Sequence, residues 1–249
     1  SGITLGEHKK ALVSARVGKR LRALGLSDPA QYLECVRHDE TGQELIELID
    51  HISTNVTSFY REPVHFQVLA QHLSALHEKG QRRFRIWCAA ASTGEEPYTI
   101  AITAREALGQ DCDVRILATD ISTRVLRTCV EGVYGEQKVA TVPGALLHRY
   151  FERARENGTV HWRVREELRA LLTFRRLNLA EPPFPMRGPF DAVLCRNVMI
   201  YFDDRVRRGL LGEVHRILAP GGYLMIGHAE TLTGLNLPFK PVQPAVYMR

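Results

Sequence analysis

Apolar and polar positions follow two rhythms along this chain, and the change between them falls near residue 84. Before it the spacing is helical. Val13, Val17, Leu21 and Leu24 recur at i, i+4, i+8 and i+11 on one face of a helix, while Lys9, Arg16 and Arg20, at i, i+7 and i+11, share another. Ser27-Asp28-Pro29 sets a cap and a proline at the start of a second helix, and an amphipathic stretch from about Gln43 to Ile52 makes a third. The first 60 or so residues read as a small all-α domain.

From about Phe84 strands alternate with helices. Phe84–Ala90, Val114–Thr119, Phe190–Cys195 and Gly222–Ile226 are short apolar runs of strand length; Gly94–Leu108, Ser122 to about Glu131 and Asp203–Leu218 have helical spacing. Such alternation predicts an α/β fold with a doubly wound, Rossmann-like parallel sheet that binds ligands at the carboxyl ends of its strands. Residues 148–178 break the rhythm. Thr159–Val164 alternates around Trp162, Leu171–Leu177 is a further short strand, and Asn157-Gly158 is a hairpin signal. These predict a small inserted antiparallel β-subdomain. The expected division is therefore 1–60, helical, and 61–249, carrying the sheet.

Composition narrows the function. The 249 residues are 45% hydrophobic and 24% charged, as in ordinary globular proteins. The longest apolar runs, Arg82–Ala91 and Ala192–Phe202, are too short and interrupted to span a bilayer, so no membrane insertion is expected. No charged-then-apolar stretch opens the chain, and the expected location is the cytoplasm. Five cysteines without a C-x-x-C pair, and ten histidines without H-E-x-x-H spacing, predict no metal site. The net charge of +5 concentrates at the start, where Lys9, Lys10, Arg16, Lys19, Arg20 and Arg22 face only Glu7. That stripe either steers an acidic partner or is a solvated helix face.

Four segments carry chemistry. In Trp87-Cys88-Ala89-Ala90-Ala91-Ser92-Thr93-Gly94-Glu95-Glu96-Pro97-Tyr98 a strand runs through small residues into a helix start. With one glycine and two carboxylates it would repel phosphate and suit an ammonium or sulfonium; it reads equally as a capped strand–helix turn. Asp120 closes the next strand, where Rossmann-like domains hold ribose hydroxyls, or it caps the following helix. Asp191–Phe202 delivers Arg196, Asn197 and Tyr201 just past a buried strand, and Arg196-Asn197 there is costly to bury without partners. Asn55–Pro63, with Phe59 and Tyr60, reads by itself as a linker with a hydrophobic staple. Glu181-Pro182-Pro183-Phe184 faintly resembles an amino-group methyltransferase motif but precedes the strand it should follow, and Cys195 has no recognisable base nearby in sequence.

Taken together, the chain resembles the chemotaxis receptor methyltransferases, the CheR family. The match runs through Asn55-x-Thr57-x-Phe59-Tyr60-Arg61, Ser92–Tyr98, Ala118–Ser122, Asn178-Leu179, Cys195–Phe202, Leu218–Gly222 and Gly227–Glu230, covering almost the whole chain in order. Departures are small: Tyr60 stands where Phe is common, Ala91 where Cys or Ala occurs, and Ala229 where Ser is common. The resemblance implies S-adenosylmethionine as methyl donor, S-adenosylhomocysteine as product, and receptor glutamates as acceptors. It implies cofactor contacts at Asn55, Thr57, Arg61, Glu95, Asp120, Asn178, Leu179, Arg196 and Asn197, with Arg61 and Tyr201 at the donor–acceptor junction. It makes acidic receptor helices the natural partner of Lys9, Arg16 and Arg20, leaves room for a receptor C-terminal peptide at the β-subdomain, and implies no nucleic acid. An RNA methyltransferase and a non-catalytic S-adenosylmethionine sensor are the rival readings.

Overall fold

The computed structural model of the protein describes residues 7–41, 43–52, 55–156 and 158–249. The expected first helices form as α1 (Glu7–Leu24), α2 (Pro29–His38) and α3 (Gln43–Ile52). Asp28 caps α2 by accepting from the Ala30 amide at 2.9 Å, with Pro29 opening the helix. On the apolar face of α1, Leu21 is buried whereas Leu24 stays 41% exposed. The side chains of Val13, Lys9 and Arg16 lie outside the described residues.

Arg20 is not an open member of a basic stripe. Its guanidinium forms two bonds to Glu44 on α3, Nε to Oε1 at 2.8 Å and Nη2 to Oε2 at 2.6 Å, clasping α1 to α3. The expectation of Arg20 as part of an open basic face is corrected here, and Arg20→Glu would set two carboxylates against each other.

The chain continues through α4 (Val64–Glu78), β1 (Arg83–Cys88), α5 (Glu95–Leu108), β2 (Asp113–Asp120) and α6 (Thr123–Glu131). Next come β3 (Val133–Gly135), the short helices α7 (Glu136–Val139) and α8 (Gly144–Tyr150), β4 (Phe151–Glu156), β5 (Thr159–Val164), α9 (Glu166–Arg169) and β6 (Leu172–Arg176). The last stretch holds β7 (Phe190–Cys195), a 3₁₀ turn at Met199–Tyr201, α10 (Asp204–Ile217), β8 (Leu218–Ile226), β9 (Lys240–Gln243) and β10 (Val246–Met248).

Seven strands form one sheet in the order β6-β2-β1-β7-β8-β10-β9. The first five are mutually parallel, and β10 and β9 add antiparallel. Both faces are covered, as near-continuous apolar strands require. Along β1, Ile86 and Cys88 pack with α4 and α5, through Leu69, Leu73 and Ile100, while Trp87 faces the opposite core with Leu210, Leu211 and Val214 of α10. Ala192 and Leu194 alternate with Val193 and Cys195 in the same way, the two-residue period of a strand. No helix among the described residues is long and apolar enough to cross a membrane.

A separate antiparallel sheet has the order β3-β5-β4, with Glu156 opposite Thr159 across the expected hairpin; Asn157 lies outside the described residues. One assignment changes. The Leu171–Leu177 strand does not join this subdomain: β6 lies parallel to β2 in the main sheet, with Phe174 beside Ala118. Its place is taken by β3, which pairs with β5 through Tyr134 and Trp162. A short apolar run announces a strand but not its partner, since either sheet buries it equally well.

Candidate active site

The strand order reverses direction between β1 and β7, so the crevice at their carboxyl ends is the switch point where such sheets bind ligands. The loop after β1 is stretched across it. The Ala89 amide donates to Leu194 O at 2.8 Å and the Ala91 amide to Thr119 O at 2.8 Å, tying the loop to both neighbours. A buried chain, from Trp87 Nε1 to Thr119 Oγ1 (3.0 Å) and on to Ala89 O (3.0 Å), fixes the same corner. Gly94 turns the loop into α5 at φ 102°, and it must be glycine, because a Cβ there would sit 2.4 Å from the Tyr134 hydroxyl.

Asp120 stands at the tip of β2, and its carboxylate organises the loops beside it. Oδ2 accepts from the Ser92 amide at 2.9 Å and Oδ1 from the Ser122 amide at 3.0 Å. Burial pushes its pKa upward, against the lowering effect of those amides. The cap of α6 falls to Ser122, whose Oγ accepts from the Val125 amide, which leaves Asp120 to the crevice. The Leu177 amide donates to Asp120 O at 3.0 Å, bringing Asn178 and Leu179 beside this acid. Asn178 Oδ1 accepts from Ala180 N at 3.1 Å, and Leu179 is buried.

The two loop acids are not bare charges. Glu95 is fully buried, with Lys138 Nζ on Oε1 at 2.7 Å and Thr93 Oγ1 donating to Oε2 at 2.6 Å. Glu96 receives Arg196 Nη1 at 2.6 Å and the Cys88 thiol at 3.3 Å; burial lifts its pKa, and Arg196 offsets part of that rise. The two carboxylates therefore do not face the crevice as free charges, because buried carboxylates need partners and these have them.

Arg196 is the centre of the other half of the site. Its buried guanidinium also donates to Arg61 O and, at 3.1 Å, to Glu62 Oε2, and it lies over the Phe66 ring at 5.3 Å. Glu62 Oε1 accepts from Asn197 Nδ2 at 3.4 Å. Glu230 then gathers three backbone amides, Asn197 and Gly227 on Oε2 (2.9 and 2.6 Å) and Met199 on Oε1 (2.7 Å). These hold the turn that carries Tyr201. Gly227 is required, because a Cβ there would lie 2.5 Å from Asn197 Nδ2.

The segment Asn55–Pro63 is part of this site and not a linker. Phe59 is buried edge-on against Tyr134 (5.0 Å) and Phe151 (5.6 Å), which pins the loop to the β-subdomain. Arg61 Nη1 donates to Val56 O at 3.0 Å, the carbonyl of the residue between Asn55 and Thr57. Tyr60, Glu62, Ser92 and Asn197 have φ between 47° and 58°; only Asn236 and Ala245 share that state among the described non-glycine residues. Each costs about 1–3 kcal/mol, and their concentration in the loops of one crevice marks where the fold stores strain.

The structure thus brings Arg61, Arg196 and Asn197 into one network and Ser92, Asp120, Asn178 and Leu179 into another, across β1. Sequence reasoning passed over Glu62, Lys138 and His65, and gave Glu230 no role. The signal for Glu62 and Glu96 was present, since a buried arginine demands carboxylates. His65 is fully buried beside Glu62, its Nδ1 3.5 Å from Oε2, and its ring meets His228 at 4.9 Å. Burial and Arg196 drive its pKa down to about 4.

This fold, with an acid at the second strand tip and a small-residue turn at the switch point, is that of an S-adenosylmethionine-dependent methyltransferase. The family profile described as CheR methyltransferase, SAM binding domain, matches residues 55–248, and that of the CheR methyltransferase all-alpha domain matches residues 1–53. The chain is 40% identical to the chemotaxis protein methyltransferase of Salmonella typhimurium over 99% of its length and 85% of the relative's. It is 41% identical to chemotaxis protein methyltransferase 2 of Pseudomonas aeruginosa, covering 99% and 88%, and 39% to the Escherichia coli chemotaxis protein methyltransferase, covering 99% and 85%. The chain belongs to the CheR methyltransferase family, and it carries a domain for S-adenosylmethionine.

The residues fit that cofactor. Ser92 Oγ is buried without a hydrogen-bond partner among the described residues, on the same residue whose amide Asp120 holds, so a hydroxylated ligand answers both the hydroxyl and the carboxylate.

Proposed function

We propose that the protein methylates glutamate side-chain carboxylates of chemoreceptors, in the cytoplasm. The observation that carries this reading is the near-40% identity to chemotaxis protein methyltransferases over 99% of the chain, with the quoted motifs falling on one crevice.

The cofactor supplies a methyl group activated on a sulfonium. Asp120 receives its ribose hydroxyls, and Asn178 and Leu179 flank its adenine. Asn55, Thr57, Arg196 and Asn197 complete the contacts. Glu95 takes part by exchanging the half-exposed Lys138 for the cofactor's own ammonium. A glutamate side chain has an ordinary pKa of about 4.3, so at neutral pH the acceptor is already a carboxylate and no base is needed. The protein's work is to set one oxygen in line with the methyl carbon at roughly 3–3.5 Å and keep water out. Arg61 binds the acceptor's other oxygen, and Tyr201 shapes the wall of the junction. Lys9 and Arg16 attract the acidic receptor helix; Arg20 supports that face chiefly by holding α1 on α3. The edge strand β4 suits a receptor's C-terminal peptide added as a further strand.

Purified protein incubated with labelled donor and receptor membranes should label the receptor whether or not RNase is present. Labelling that RNase abolishes favours an RNA methyltransferase, and tight cofactor binding without turnover favours a sensor. Arg61→Ala should cut transfer far more than affinity for S-adenosylhomocysteine, because Arg61 acts mainly on the acceptor.

A further inference from the structure

We propose that Glu62, His65 and His228 form a site for a zinc-class divalent cation, and that filling it slows methyl transfer. The second half of this inference rests on the reading of the crevice as the methyl-transfer site.

One ligand atom from each of the three residues lies within 4.8 Å of the others. One edge, His65 Nδ1 to Glu62 Oε2, is 3.5 Å. Tetrahedral coordination with bonds of 2.0–2.1 Å spaces neighbouring ligands about 3.3 Å apart, so this edge needs almost no adjustment. The remaining closure falls to His228, which is exposed. His65 supplies an independent sign of a ligand. It has no solvent exposure, and neither ring nitrogen has a hydrogen-bond partner among the described residues. Buried polar groups rarely stay unanswered, and a neutral imidazole is the form that ligates metals.

The donor set decides the kind of cation. Two imidazole nitrogens, one carboxylate and an open fourth position are the pattern of an accessible zinc site, whereas magnesium and calcium take oxygen shells. Nothing in the sequence spacing shows this, because Glu62 lies just before α4, His65 in its first turn and His228 in the loop after β8. The Arg196 guanidinium opposes a cation here, which keeps the affinity moderate. Arg196 is nonetheless not stranded when Glu62 turns to a metal, since Glu96 remains on Nη1 at 2.6 Å.

Glu62 links the site to function. The same carboxylate receives Arg196 at 3.1 Å and Asn197 at 3.4 Å, and Arg196 in turn holds Arg61 O. A metal that claims Glu62 removes its bonds to Arg196 and Asn197 and leaves the Arg61 carbonyl as the remaining tie between the Arg61 loop and Arg196.

The test is a Co²⁺ titration of the chelator-treated full chain, followed by its visible d–d absorption. We expect one equivalent to bind with the intense bands of a tetrahedral site, Zn²⁺ to displace it and Mg²⁺ to leave it. His228→Ala, an exposed substitution, should lower the affinity at least tenfold. Bands unchanged in His228→Ala, or accompanied by the thiolate charge transfer that exposed Cys35 would give, overturn the site. Zn²⁺ should also weaken S-adenosylhomocysteine binding and slow receptor methylation by at least tenfold in the wild type, reversibly with chelator, and leave His228→Ala unaffected. Cobalt binding with no effect on either readout overturns the inhibitory role. Cobalt binding and a weakened cofactor, in a protein that methylates no receptor, support the site and count against the receptor reading instead.

Discussion

Arg20 and Arg196 both hold carboxylates, and they differ in nearly everything else. Arg20 joins two helices of the all-α domain through Glu44, with the side chains 20% and 14% exposed. Arg196 sits at the carboxyl end of β7 with no side-chain exposure and divides its donors among Glu96, Glu62 and the Arg61 carbonyl. The first pair is partly exposed, so solvent competes with both partners and makes it a modest clasp. The second is a desolvated network in which each charge depends on the rest, as in sites where loop position matters more than stability.

Substituting each arginine by a similar apolar residue separates the two sharply. Arg196→Met leaves buried Glu96 and half-buried Glu62 without their cation, and urea unfolding should show a loss of about 3–5 kcal/mol. Arg20→Met should lose about 1 kcal/mol or less. Equal losses would mean that the buried network is no more than another surface pair.

Asp120 sharpens the contrast on the crevice side. Asp120→Ala should weaken S-adenosylhomocysteine binding by about 1–3 kcal/mol in a folded protein, the cost of losing hydrogen bonds to a charged acceptor. Calorimetry showing unchanged affinity would remove Asp120 from the ribose site and leave it as the residue that positions Ser92 and Ser122.

The smallest effect belongs to the basic stripe. With Arg20 committed to Glu44, the steering claim rests on Lys9 and Arg16. A Lys9→Glu/Arg16→Glu variant should bind cofactor normally yet methylate receptors more slowly. The wild-type rate should fall with added salt, since exposed charges are screened beyond about 8–10 Å. Flat, superimposable salt curves for the two proteins would leave the stripe without a recognition role.

The same contrast explains what could be read from the sequence. The strands β1, β2, β7 and β8 and helices α5, α6 and α10 announce themselves because one period decides their burial. Asp120, Arg196 and Asn197 follow, because they end strands whose carboxyl edge binds ligands in this class of sheet. What escaped is whatever depends on a partner far away in sequence. Leu172–Arg176 has a strand's pattern but finds its place only against β2. Glu95 and Glu96 look like open charges until Lys138 and Arg196 arrive from other elements. Glu62 lies beside Arg61 in sequence, yet its role is set by Arg196, His65 and His228.

The central claim is that this crevice joins a methyl group to a carboxylate oxygen. The most direct measurement is the alkali lability of the product. Receptor labelled by the wild-type protein from a methyl-labelled donor should release its label as volatile methanol on mild base treatment, as carboxyl esters do. The release should vanish when the acceptor glutamates are changed to glutamine. Label that survives base, as methyl on nitrogen or carbon does, would contradict the account.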